Sequence, residues 1–312
     1  MASYCPGMPA SPLVCVVIPS FRGGLELIAA LSSVHESDYC HIKIIIVDNA
    51  SCDGTKERAK ALFPGIMMII NDRNYGFAAA CNQGIKLAIE ANSDFVLLLN
   101  QDARLCPGAL SLMVELAQSR PESAAVGCRT HSSAKLADGT SCLLYDGSWR
   151  YILPSLQKIP GIGSNSNDGG QPKEVDYIWG HCMLIRCSAL KEVGLFDTSF
   201  FMYYEDLDLC LRLSSAGWKL YCDSRASAVH NIDDPERAVK SDLSRWRMKA
   251  RSHSYFYRKR MNPFLADTLW ILASCIEAYW LLKKLHFKAL YHLLRSTADE
   301  LGSDRASLKS DG

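Results

Sequence analysis

The chain of 312 residues is 48% hydrophobic and 21% charged, an ordinary globular composition with room for one large domain plus an appendage or for two small ones. Its net charge of +1 gives no global electrostatic case for nucleic acid as a partner. Thirteen cysteines, an odd number with no Cys-x-x-Cys pair and no zinc spacing, read as free thiols in a reducing cytosol, several of them (Cys15, Cys210, Cys275) in apolar runs.

No basic-then-apolar leader opens the chain, so no signal peptide is expected. Residues 1 to 12, rich in Pro, Ser and Ala, predict a loose segment. Leu13 to Ile18 is a continuous apolar run ending at Pro19, which predicts a buried strand, and Gly23-Gly24 opens a helical pattern to about Val34. Ile42 to Val47 predicts a second strand, ending in Asp48-Asn49, and a helix over Lys56 to Phe63 follows. Ile66 to Ile70 and Phe95 to Leu99 predict further strands, each followed by a helix: Phe77 to Ala91 and Pro107 to Gln118. Ala124 to Cys128 predicts a fifth strand. This alternation predicts an α/β fold with a mostly parallel central sheet and helices on both faces.

In such sheets a ligand sits beyond the carboxyl ends of the strands. Polar residues gather there: Pro19-Ser20, Asp48, Asn71 to Gly76, and Asn100 to Asp102. Each has a structural use, because Asp and Asn cap helices and Gly serves turns. Four such clusters on successive strand ends favour a binding site. The chain lacks Gly-x-Gly-x-x-Gly after the first strand, a Walker Gly-x-x-x-x-Gly-Lys-[Ser/Thr] and a Gly-x-Ser-x-Gly elbow. These absences weigh against nicotinamide, P-loop and hydrolase readings.

Residues 130 to 175 hold Gly161 to Gly170 and lack clear periodicity, which predicts an insertion with short strands and a mobile loop, a candidate lid or acceptor-recognition region. Order returns at Tyr177-Ile-Trp-Gly180-His181 and the apolar Met183 to Ile185. Lys219 to Cys222 and Ala226 to Val229 predict two short closing strands, the second ending at His230.

Between them lies Phe-Phe-Met-Tyr-Tyr-Glu-Asp-Leu-Asp-Leu-Cys-Leu-Arg, residues 200–212. Its acids suit a helix start. Asp208 and Arg212, four apart, can pair on one face, and Glu205 and Asp208 share a side. Asp206 lies about 100° round from Glu205, so the two carboxylates point differently. A carboxylate aimed from a helix start into an aromatic mouth suits a general base. Geometry alone leaves open which of the two it is.

From Arg245 to Arg260 there are seven Lys/Arg and no acid, interleaved with Trp246, Tyr255, Phe256 and Tyr257. Thr268 to Leu282 is then apolar apart from Glu277, shorter than the ~20 residues of a spanning helix, with Lys283, Lys284 and Lys288 after it. The run fits either a helix lying in an anionic membrane interface or a packing helix of a homo-oligomer or of the main domain. The tail after Leu301 is polar and predicts disorder.

Five blocks carry a resemblance: Val-Val-Ile-Pro-Ser (16–20), Ile-Ile-Val-Asp-Asn-Ala-Ser-Cys-Asp-Gly-Thr (45–55), Asn-Tyr-Gly-Phe-Ala-Ala-Ala-Cys-Asn-Gln-Gly (74–84), Leu-Leu-Asn-Gln-Asp (98–102) and the 200–212 stretch, with His230 closing the pattern. Over residues 13 to 295 the chain resembles the family 2 glycosyltransferases of the GT-A fold, in the rhamnosyltransferase-like branch of bacterial surface-polysaccharide biosynthesis. The resemblance implies a catalytic domain over 13–232, with a nucleotide-sugar half (13–105) and an acceptor half (106–232). A basic and apolar helical extension (233–312) follows, whose presence in this branch implies membrane association.

The implied reaction is inverting transfer from a nucleotide-diphosphate sugar to a hydroxyl of a glycan or lipid-linked glycan. The donor would be a dTDP- or UDP-sugar, with dTDP-L-rhamnose suggested by the branch alone. Pro19, Ser20 and Asp48 would line the nucleotide pocket together with Asn49, and Asn74 and Gly76 would meet the diphosphate and sugar. Asn100-Gln101-Asp102 occupies the family's metal-binding Asp-x-Asp position, with an amide in place of the first acid. Asp102 and His230 would hold Mg²⁺ or Mn²⁺, the imidazole leaning toward Mn²⁺. Asn100 would face the donor. Asp206 is implied as the base, with Glu205 holding the acceptor or orienting the base. Trp179, Gly180 and His181 would shape the acceptor side. Two other readings stay open: a nucleotidyltransferase, disfavoured by the missing basic Gly-rich loop, and an inactive nucleotide-binding scaffold, suggested by Asn100. The expected location is cytoplasmic, with the membrane's inner face as the surface that 245–295 would touch.

Overall fold

The computed structural model describes residues 11–135, 141–145, 170–231, 243–283 and 287–310. β1 (Val14–Ser20) is buried along its whole length. Its residues alternate between two cores: Cys15 and Val17 face one, Val14, Val16 and Ile18 the other. A strand covered on both faces must be apolar at every position, which is why its sequence shows no alternation.

β1 pairs in parallel with β2 (Ile42–Asp48) on one side and β4 (Phe95–Leu99) on the other. Beyond β2 lies β3 (Met67–Ile70), also parallel. β9 (Cys182–Arg186) runs antiparallel to β4 and to β6 (Ser123–Lys135), so β6 is parallel to β4 again. β10 (Lys219–His230) is parallel to β6, and β5 (Ala103–Leu105) closes the edge antiparallel to β10. The order is β3-β2-β1-β4-β9-β6-β10-β5, with β7 (Ser141–Tyr145) on β6 and β8 (Lys173–Glu174) on β10. The polar strand ends of β1, β2, β4 and β10 and the start of β9 therefore share one edge.

α1 (Gly24–His35), α2 (Thr55–Leu62) and α4 (Ala109–Ser119) cover one face. α3 (Phe77–Glu90), α5 (Cys187–Val193) and α6 (Glu205–Ser215) cover the other. That second core continues into α7 (Leu243–Arg258) and α8 (Pro263–Lys283) through Phe256, Tyr257, Ala266 and Trp270. α9 (Phe287–Ser310) packs on α7 and α8.

Three elements differ from the sequence reading. The two closing strands are one, β10, with a register shift between Asp223 and Ser227. Arg225 donates to both carboxylate oxygens of buried Asp223 at 3.0 and 2.8 Å, so the polar residues that look like a loop form a bulge instead. β5 has three residues, too few for any periodic signal. β6 runs well past Cys128, and β7 pairs back on it. The expected mobile loop and the tip of the insertion (136–140 and 146–169) fall outside the described residues.

Candidate active site

At the end of β1, Ser20 is 2% exposed and its hydroxyl donates to Gln101 Oε1 at 3.0 Å. The Phe21 amide donates to the same oxygen at 2.8 Å, and Gln101 Nε2 returns a bond to the Phe21 carbonyl at 3.2 Å. The middle residue of Asn100-Gln101-Asp102 is thus a cross-link between two strand-end loops, a use the sequence reading missed. Its only sequence signal is its place in the motif.

Pro19 and Asp48 are buried at the adjoining ends of β1 and β2. One oxygen of Asp48 accepts from the Ser51 amide at 3.1 Å. The Asn49 amide donates to the Ser20 carbonyl at 2.8 Å, and its side chain donates to the Gly76 carbonyl and accepts from Asn71. Asn49 therefore binds β1, β2 and the loop before α3 into one unit.

Asn74 Oδ1 accepts from the Gly76 amide at 2.9 Å, a short-range turn. Gly76 has φ of 88°, and a Cβ there would overlap the Phe201 carbonyl. That carbonyl also accepts the first amide of α3, Phe77, at 2.7 Å. The missing side chain of Gly76 gives room to the backbone that leads to the acidic helix.

Asp102 Oδ1 lies 3.1 Å from His230 Nε2, with the Asp102 side chain 35% exposed and that of His230 12%. The His230 ring stacks on His181 with centroids 4.6 Å apart and planes 7° from parallel. His181 Nε2 lies 2.7 Å from Thr130 Oγ1. Burial, and then the neighbouring His230, hold His181 well below the usual imidazole range, so it is neutral near pH 7. The His181 carbonyl accepts from the Asn100 amide at 2.9 Å. Asn100 Oδ1 and His230 Nδ1 are buried without a partner among the described residues.

A carboxylate oxygen and an imidazole nitrogen in contact are donors that Mn²⁺ or Mg²⁺ accepts. The described residues contain no group of three or more His, Cys, Asp or Glu placed for a metal. The pair therefore fits a divalent ion only if other ligands, such as phosphate oxygens and water, complete the shell.

The acidic stretch divides as helix geometry requires. Glu205 is 5% exposed and Asp208 0%, on the inward side of α6, while Asp206 is half-buried. Asp206 Oδ2 accepts from the Tyr177 hydroxyl at 2.7 Å and the Gly180 amide at 3.0 Å. Its Oδ1 accepts from the Leu207 amide at 2.8 Å. Burial raises Asp206, opposed by these three donors. Burial and the adjacent Asp206 push Glu205 well above the usual carboxylate range, and its Oε2 has no partner among the described residues. Two neighbouring buried carboxyls resist carrying two charges, and the charge resides where the donors are. Both carboxyls are raised by burial, and the donors on Asp206 make it the better placed of the two to carry the charge.

Asp208 accepts from Arg212 at 2.8 Å as the four-residue spacing predicts, and also pairs with Lys259 at 3.0 Å and Arg260 at 2.5 Å. Tyr203 and Tyr204, just before α6, both have positive φ, 73° and 70°. Left-handed backbone at a non-glycine costs about 1–3 kcal/mol per residue, so surrounding contacts must hold this turn. Tyr204 is buried and stacked on His253 rather than lining an open mouth.

The segment 177–181 joins the two halves of the site. Tyr177 and Gly180 hold Asp206, Trp179 meets His181 edge-on at 5.6 Å, and His181 holds Asn100 and stacks on His230. The sequence reading assigned 179–181 to the acceptor and gave Tyr177 no role.

A family profile described as Glycosyl transferase family 2 matches residues 15–194, and one described as Glycosyl transferase family group 2 matches residues 162–297. Rhamnosyltransferase WbbL of Escherichia coli (strain K12) is 30% identical over 260 residues, 80% of this chain and 94% of the relative. N-acetylglucosaminyl-diphospho-decaprenol L-rhamnosyltransferase of Mycobacterium tuberculosis (strain ATCC 25618 / H37Rv) is 28% identical over 274 residues, 81% of this chain and 89% of the relative. Among solved structures, the mannosyltransferase PcManGT from Pyrobaculum calidifontis, in complex with GDP-Man and Mn²⁺, aligns with a TM-score of 0.59 at 16% identity, covering 96% of this chain and 90% of that one. GalNAc-T7 with UDP, GalNAc and Mn²⁺ aligns with a TM-score of 0.56 at 16% identity over 72% of this chain, which spans 44% of that structure. At that identity the two structures speak to the fold, which is GT-A.

Proposed function

From the premise that the chain belongs to glycosyltransferase family 2 and is a glycosyltransferase, we propose that it transfers a sugar, with inversion, from a dTDP- or UDP-sugar to a hydroxyl of a lipid-linked glycan. The names of its rhamnosyltransferase relatives make L-rhamnose the first donor sugar to test and an N-acetylglucosaminyl-diphospho-lipid the first acceptor. The observation that carries the proposal is the Asp206 carboxylate, held by Tyr177 and Gly180 at the start of α6. It is held by three donors that favour its charged form, and it has lone-pair capacity left for an incoming hydroxyl.

Asp206 takes the proton of the acceptor hydroxyl as it attacks the anomeric carbon. Glu205, pushed upward beside it by burial and by the Asp206 charge, favours a single negative charge on the pair, placed on the carboxylate that has the donors. Pro19, Ser20, Asp48 and Asn49 hold the nucleoside, and Asn74 and Asn100 meet the diphosphate and sugar. Asn100 Oδ1 is a buried acceptor suited to a sugar hydroxyl or a metal-bound water. Trp179 and His181 bound the acceptor side. Asp102 and His230 would hold a divalent ion, which would supply neutralisation of the charge on the departing diphosphate. The domain division stays at 13–232 and 233–312, with the extension packed on the catalytic core.

A thermal-shift screen of nucleotide sugars with Mn²⁺ tests the donor. The matching donor is expected to raise Tm, by an increment that needs the metal and is lost with a chelator. In His230→Ala the metal-dependent part shrinks while the donor alone still binds. No stabilisation by any nucleotide sugar would refute the donor assignment.

Tyr177→Phe tests the base from another side. The Tyr177 hydroxyl lowers the Asp206 pKa against the rise from burial, so its loss moves that pKa up. The base form is then lost at higher pH, and the acidic limb of the kcat profile shifts upward. An unmoved limb would assign the base elsewhere.

The extension carries a membrane proposal. Arg247, Arg258, Lys259 and Arg260, four cations of the basic run, pair with acids of the same chain. α8 nevertheless exposes Phe264, Leu265, Ile271, Leu272, Tyr279 and Leu282, at spacings that repeat along one helical stripe, and α9 exposes Phe287, Tyr291 and Leu294. No helix among the described residues is long and apolar enough to cross a membrane. The stripe suits a helix pair lying in an interface. The protein is expected to float with anionic liposomes, and Leu272→Ser/Tyr279→Ser/Phe287→Ser to remain at the bottom of the gradient. A wild-type protein that stays down as a dimer would assign the stripe to a second copy.

A further inference from the structure

The turn that delivers the two acids is unstable by itself, because Tyr203 and Tyr204 are consecutive left-handed residues without glycine. What holds it is α7 and the residues just after it, about fifty positions later in the chain. Ser252, 4% exposed, donates its hydroxyl to the Met202 carbonyl at 2.7 Å. The Tyr204 ring stacks on buried His253, centroids 4.9 Å apart and planes 12° from parallel, and lies 5.3 Å from Phe256. Arg245 reaches the Tyr203 hydroxyl at 3.3 Å. Below the turn, Lys259 and Arg260 grip Asp208, whose amide donates to the Tyr204 carbonyl at 2.8 Å. Above it, Tyr255 and Lys259 hold Asp197, and Phe200 meets the Tyr255 ring at 4.9 Å. Burial and the Lys249 charge bring His253 down to about 3, so the ring against Tyr204 is the neutral aromatic one.

We propose that α7 is a positioning element of the catalytic apparatus: Ser252 and His253 lock the left-handed Tyr203–Tyr204 turn and so aim the Asp206 carboxylate. The inference rests on the reading of Asp206 as the base. α7 and the acid pair both lie within the residues matched by the second family profile, 162–297, about forty positions apart in the chain. No residue of α7 needs to touch substrate. Ser252 and His253 are positioning residues, and their effect passes through the backbone of 202–204.

The test compares Ser252→Ala and His253→Ala with the conservative Ser252→Thr and His253→Phe, each alone and combined with Asp206→Asn. The readouts are kcat, donor KM, donor affinity by calorimetry, and Tm. A misaimed base costs on the order of tenfold to hundredfold in kcat. The two alanine variants are expected to show that loss with donor affinity unchanged. Ser252→Thr keeps the hydroxyl and His253→Phe keeps the stacked ring, so both are expected to recover most of kcat. In the Asp206→Asn background the alanine effects should disappear, because there is no base left to aim. Unchanged kcat, a loss that follows the folded fraction, or a loss retained in full without Asp206 would each overturn the positioning role while leaving the base assignment standing. Full activity of Asp206→Asn alone would overturn the base assignment and the aiming role with it.

Discussion

Asp206→Asn is expected to lower kcat by about 10²–10⁴-fold while donor affinity stays within experimental error of wild type. The amide preserves the shape, and its single oxygen in the Oδ2 position still accepts from Tyr177 and Gly180, at the loss of the acceptor for the Leu207 amide. It cannot take up a proton from the attacking hydroxyl. The loss therefore belongs in kcat and in kcat/KM to the same degree, the pattern of an interaction made only in the transition state. Steady-state kinetics with the matching donor, beside calorimetric titration of that donor, separates the two. A variant that kept wild-type kcat would exclude Asp206 as the base. The prediction favours Asp206 over its neighbour on physical grounds. Glu205 is buried more deeply, has an oxygen with no donor among the described residues, and is pushed up both by burial and by the Asp206 charge.

The second large effect concerns stability. Asp208→Asn is expected to destabilise the fold by about 3–5 kcal/mol, measured by denaturant unfolding. Asp208 is fully buried and holds Arg212, Lys259 and Arg260 together, so its neutralisation leaves cations from α6 and from the end of α7 facing one another. Burial alone would raise the Asp208 pKa, but the hydrogen bonds from Arg212, Arg260 and Lys259 outweigh it and the pKa is lowered in the fold. A depressed folded pKa contributes stability that is fully present above the unfolded carboxylate pKa. That contribution is lost as pH falls through the folded value. Wild-type stability should therefore fall on acidification over that range, and the variant should show a smaller fall. A variant as stable as wild type near neutral pH would mean that the cluster contributes nothing net. The cluster also spans the junction that aims α6, so a lower kcat at temperatures where the variant is still folded is expected.

The sequence by itself determined the repeating strand-and-helix order, because each element's pattern is local. Leu13 to Ile18 is apolar at every position because β1 is covered on both faces, and that can be read without any partner. The polar strand ends followed, since chain direction in a parallel sheet puts every carboxyl end on one edge. The division among Glu205, Asp206 and Asp208 was also legible, because helical angle depends only on spacing, and the Asp208–Arg212 pair follows from four residues of separation.

What depended on tertiary structure was every contact between distant segments. Nothing local marks Tyr177 as the donor to a carboxylate 29 residues later, or Gly180 as its amide partner. The stacking of His181 on His230 requires β9 and β10 to reach the same edge from different parts of the chain, and Gly76 is explained only by the Phe201 backbone that fills its missing side chain. Strand β10 looked broken because Asp223 and Arg225 satisfy each other inside a bulge, a pairing that polarity along the chain disguises as a loop. The basic run after Arg245 looked like a surface for anions, but composition counts charges without showing where their partners lie. Four of its seven cations pair with Asp197, Asp208, Asp267 and Asp299 of the same chain, acids between 9 and 62 residues away. Periodicity and spacing are properties of one segment, whereas the hydrogen bonds that hold Asp206 join segments far apart in the chain, and only the fold brings those together.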